Sequence, residues 1–122
     1  MKLRTILIIT FSSLILQGCD STETKVKKVL MCGLAVDQLG NSQAKANYSK
    51  NLPNMFGGKE PNISSYDITR ISGEAREELY MDFPGKQKNL ELLLEEYEED
   101  YCEDLHKEPN TDRVQFLKKI LD

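Results

Sequence analysis

Apolar positions follow two regimes along this chain. Between residues 6 and 16 they are nearly continuous: Ile6, Leu7, Ile8, Ile9, Phe11, Leu14, Ile15 and Leu16 follow the positive residues Lys2 and Arg4. From residue 24 onward they recur at helical spacing. Val26, Val29, Leu30, Cys32, Val36 and Leu39 mark a first helix from near Thr24, stopped by Gly40-Asn41. A second, through Ala44, Ala46, Tyr48 and Leu52, starts at Ser42 and ends at Pro53, either as a separate helix or as a kinked continuation of the first. Two prolines and a glycine pair make residues 53–63 a loop.

Ser64 and Asp67 have the spacing of a capping box, so a third helix is predicted from there to Asp82. It would turn Ile68, Ile71, Ala75, Leu79 and Tyr80 inward, with Gly73 as a point where it could split. After a Phe83-Pro84-Gly85 turn, Leu90, Leu93, Leu94, Tyr97, Tyr101 and Leu105 form one apolar stripe on a long helix from Lys86 to His106. Thr111 caps a last helix that faces Val114, Leu117, Ile120 and Leu121 to the core. No segment alternates with period two. The pattern predicts an all-α fold, a small bundle of four or five helices.

The first apolar run is shorter than the roughly 20 residues that span a bilayer. With its positive start it has the parts of a secretory signal. Leu16-Gln17-Gly18-Cys19, directly after it, resembles the lipobox of bacterial lipoproteins. That resemblance implies removal of residues 1–18, a diacylglyceryl group on the Cys19 sulfur and an acylated (palmitate-type) amine. The chain then divides into the signal at 1–18, a lipidated Cys19 with a tether over 19–25, and one helical domain over 26–122. One acyl chain holds a protein only marginally, whereas two or three anchor it stably. The expected place is the cell envelope, lipid-anchored and facing the periplasm. Asp20 resembles an inner-membrane retention signal, which favours that membrane over the outer one.

Charge and cysteines narrow the picture further. The formal net charge of −4 becomes −6 once Lys2 and Arg4 leave with the signal, which argues against nucleic acid and against adhesion to anionic lipid. Of three cysteines, lipid on Cys19 removes one and leaves Cys32 and Cys102, a pair suited to an oxidising compartment. A Cys32–Cys102 disulfide would tie the first helix to the fourth.

Candidate chemistry is sparse. Glu91, Glu95, Glu96, Glu98, Glu99, Asp100, Glu103 and Asp104 share one helix with no Lys or Arg between Lys88 and Lys107. Like charges at i,i+4 each cost about 0.2–0.5 kcal/mol, and the last acids would oppose the dipole at the helix C-terminus. Such a face is either simply solvated or a docking surface for a basic protein partner, with Glu95, Glu96, Glu99, Asp100 and Glu103 as its candidates. Met55 and Phe56, in the Gly/Pro-rich loop, are either a plug on the core or an apolar contact patch. The single histidine, His106, lies one turn after Cys102 at an acidic helix end expected to face solvent, too little for a metal or catalytic site. No cofactor motif is present. The expectation is a non-enzymatic protein-binding module. In size, export and composition it is similar in outline to immunity proteins and surface-exclusion lipoproteins. The alternative is an accessory subunit of an envelope complex.

Overall fold

In a computed structural model, which describes residues 21–122, the chain is an all-α bundle organised around its first helix. Cys19, Asp20 and the signal segment lie outside the described residues. Helix α1 (Thr22–Leu39) is the hub; α2 spans Ser42–Asn51 and runs into a 3-10 turn over Leu52–Phe56. The rest is α3 (Ser65–Glu78), α4 (Lys86–Glu98), α5 (Asp100–His106) and α6 (Asp112–Leu121). Helix α1 packs on α3 and α4, α2 packs on α5, and α6 packs on α4. The core lies between these helices, with Leu39, Ile71, Leu79, Leu93, Tyr97 and Leu117 all fully enclosed. No described helix is long and apolar enough to cross a membrane.

Local capping explains most helix starts. The side chains of Ser21, Asn41, Ser64 and Thr111 each accept a hydrogen bond from the backbone N–H three residues on. Ser21 therefore starts α1 earlier than its apolar periodicity suggests, and most of the expected 19–25 tether is helical. The predicted loop at 53–63 holds one ordered turn, because Pro53 suits the first positions of a helix. Gly57 and Gly58, at φ 63° and 77°, then reverse the chain.

Three boundaries differ from the periodic reading. Helix α3 is not split at Gly73, and it stops short of Asp82. Tyr80 takes a left-handed φ of 54°, its N–H donates to the Glu77 carbonyl, and the Met81 N–H donates to the Arg76 carbonyl. This is a Schellman end built on tyrosine instead of glycine. As a result Tyr80 is exposed and packs against Phe83 with the rings tilted by 49° and their centroids 5.1 Å apart, while Ile68 is 39% exposed; neither faces the core as expected.

The predicted 86–106 helix is two helices. Glu99, at ψ 139°, leaves the helical region, ends α4 and starts α5. A stripe spaced by four drifts about 40° per step on a helix of 3.6 residues per turn, so Leu105 would sit about 120° from Leu93 on one straight helix. The break at Glu99 re-aims Tyr101, Cys102 and Leu105, and α5 lands on α2. It also places Asp100 and Glu103 in a first turn, where the helix dipole favours negative charge. The expected C-terminal penalty is thereby largely removed for those two.

Cys32 and Cys102 are bonded, with Cα atoms 5.5 Å apart, and both are fully buried. Around the bridge, side chains carry backbone bonds between helices. Tyr101 Oη donates to the Lys28 carbonyl at 2.9 Å, and Tyr48 Oη to the Val29 carbonyl at 2.7 Å. Asn47 and Asn51 donate to the carbonyls of His106 and Leu105, closing the C-terminal end of α5. Thr111 caps α6 and also donates to the Leu39 carbonyl at 2.6 Å, locking the end of α1 to the start of α6.

Candidate functional site

The acidic residues do not act as one surface. Helix α4 and the end of α6 enclose a shallow groove of about 480 Å3 lined by Glu91, Glu95, Glu98 and Glu99, with Leu94 and Leu121 between them. Spacings of three and four put Glu91, Glu95 and Glu98 on one side of α4. Glu99 joins them from the break. Lys118 reaches Glu98 at 3.3 Å from the facing helix, and Gln87 donates to Glu91 at 3.2 Å, so two of the four carboxylates are already partnered. Glu95 and Glu99 are exposed and keep their expected place in this site.

The other candidates separate from the groove. Asp100 is exposed but lies outside its lining, and so does Asp104, paired to Lys107 at 3.7 Å. Glu103 is half-buried, and its charge bears on the core side chains Tyr97 and His106. Glu96 turns toward the interior, where its Oε1 is buried without a hydrogen-bond partner. Burial first, then the charges of Glu99 and Glu78, push its carboxyl up to about 7, against the opposing pull of Lys28. Near neutral pH it contributes only part of a charge to the acidic face.

Met55 and Phe56 point to different places. Met55 packs against the core cluster and thus acts as the loop plug. Phe56 lines an open apolar pocket between the start of α1, the 3-10 turn and α3. That pocket is not legible along the chain, because its wall is assembled from Val26, Leu52, Pro61 and Ile68, which lie far apart in the sequence. Leu121 in the acidic groove was equally hidden, whereas Glu91 and Glu98 carried a legible spacing signal.

His106 is not at an exposed end. It is fully buried, its ring stacked on Tyr97 with centroids 3.8 Å apart. Its Nδ1 accepts from the Glu108 N–H at 3.0 Å, which leaves the Nε2 proton to donate to the Tyr97 carbonyl at 2.8 Å. Burial lowers its pKa below the usual imidazole range, so the ring is neutral and fully engaged. Tyr97 Oη in turn donates to the Glu108 carbonyl. These bonds fold the 107–110 turn back onto α4. With Cys102 in the disulfide, the Cys102/His106 pair offers no metal ligand, and no three ligand-type side chains gather among the described residues.

Compared with known protein families, curated proteins and solved structures, this chain matches none.

Proposed function

We propose that this chain is a lipid-anchored envelope protein that binds another protein without catalysis, as an immunity- or exclusion-type inhibitor of a basic partner. The lipobox-like Leu16-Gln17-Gly18-Cys19 supports the anchor and the periplasmic side, and Asp20 favours the inner membrane. The observation that carries the binding role is the groove between α4 and α6. Glu91, Glu95 and Glu99 line it, and Leu94 and Leu121 add apolar surface. A Lys or Arg side chain matches that combination, laying its apolar stem on the leucines and its charge among the carboxylates. Exposed carboxylates also steer a basic partner into contact, an effect that salt screens. The engaged, neutral His106 supports the non-enzymatic reading.

A second reading, an accessory subunit of an envelope complex, draws on Phe116 and Ile120. They lie one turn apart on α6 and are each 55% exposed.

The test compares capture of envelope proteins by the wild type and by a Glu91→Gln, Glu95→Gln, Glu99→Gln variant at low and high salt. We expect a basic protein held by the wild type at low salt and lost in the variant. Equal, salt-insensitive capture by both would reject the groove.

A further inference from the structure

The pocket beside the start of α1 has about 400 Å3 of space and walls of Val26, Val29, Leu30, Phe56, Ile63 and Ile68. Protein interiors are close-packed, and voids larger than a water are few. An open apolar space of this size therefore has the proportions of a ligand site. The charged residues at its edge, Lys59 and Glu60, are exposed.

We infer that this pocket holds a fatty acyl chain, and that the chain is one carried by Cys19 of the same molecule. The second half rests on the lipid-anchor reading above.

The chemistry of the wall selects hydrocarbon over peptide. A bound peptide would bury backbone N–H and C=O groups, each needing a partner. Here three backbone donors of the pocket wall are already used: Gly58 N–H on the Pro53 carbonyl at 2.9 Å, Lys59 N–H on Phe56 at 3.2 Å, and Ile63 N–H on Pro61 at 3.1 Å. Pro53 and Pro61 carry no N–H at all. An acyl chain asks for none.

Reach selects the source. Cys19 lies three residues before Thr22, the first residue of α1, a span of at most about 10 Å. Val26 lies four residues further along the helix, about 6 Å. The sulfur thus stays within roughly the length of a lipid tail, itself about half of a ~30 Å hydrocarbon core. A tail already in a bilayer gains nothing by moving, since lipid and pocket are equally apolar. The pocket acts when the protein is off the membrane, shielding one chain from water.

The test uses the full chain, exported and lipidated in bacteria grown on a diazirine-bearing fatty acid, then transferred to detergent-free buffer and irradiated. Mass spectrometry should find residue 19 acylated and its label attached to Val29, Phe56, Ile63 or Ile68 of the same copy. Ile68→Trp fills the pocket from its exposed wall and should cut that attachment several-fold, with an unchanged thermal melt to show that the fold survives. Acylated protein labelled only elsewhere, or between copies, would overturn the inference. So would pocket labelling by free fatty acid in a Cys19→Ser chain that matches the wild type, since the occupant would then be a membrane lipid. An unmodified N-terminal peptide in the wild type would show separately that the anchor reading has failed, and the own-chain occupant with it.

Discussion

Replacing Glu96 by Gln should stabilise the protein at high pH. In the folded chain its carboxyl is raised from 4.5 to about 7, chiefly by burial. A rise of that size is worth at most about 3.4 kcal/mol, at 1.36 kcal/mol per unit. The side chain is half-buried and not sealed, so solvent screening reduces this to about 1–2 kcal/mol. The sign follows from proton counting: between 4.5 and about 7 the folded state binds more protons than the unfolded state. The stabilising contribution of the protonated carboxyl is fully present below 4.5 and is lost as pH rises through about 7. Glu96→Gln keeps the shape and removes the charge. Its advantage over wild type should be near zero below 4.5, grow through the window, and level off above 7 at about 1–2 kcal/mol. Urea unfolding followed by far-ultraviolet circular dichroism, with the disulfide intact, measures this difference. Subtracting the two curves cancels His106, whose lowered pKa gives stability that is lost as pH falls below the usual imidazole range. A variant no more stable than wild type above 7, with a flat difference across the window, would refute the assignment of Glu96 as a half-buried acid whose Oε1 lacks a hydrogen-bond partner.

Two further outcomes are expected. Replacing both Cys32 and Cys102 by Ala frees a loop of 70 residues, which the chain-entropy treatment sets at about 4.4 kcal/mol as an upper figure; a shift in the urea midpoint worth under about 1 kcal/mol would contradict a stabilising staple. Gly33→Ala would bring a Cβ within 2.7 Å of Tyr48 Oη and break its bond to the Val29 carbonyl, costing about 1–3 kcal/mol. In a Tyr48→Phe background the same change should cost clearly less, and equal costs in a double-mutant cycle would show that the two residues do not meet.

The signals legible along the chain are local. Ser64 and Thr111 marked helix starts because a side-chain cap reaches only three residues, whereas Asn41 was legible only as a stop. The all-α class followed from apolar spacing, and the Cys32–Cys102 pairing from subtraction of Cys19. The acidity of α4 and α5 was visible in composition. Tertiary structure decided the rest, because it depends on residues far apart in the chain. The turn at Glu99 answers to α5 docking on α2, and no local signal announces it. Glu96 and Glu95 are adjacent and alike in sequence, yet one is drawn inward among α1 and α3 charges while the other faces solvent. His106 looked like an exposed helix end until the 107–110 turn folded over Tyr97. The acidic groove needs Leu121 from the chain's end, and the acyl-sized pocket needs three separate segments. Periodicity says which face of a helix is buried; only packing says what that face meets and which charges lose their water.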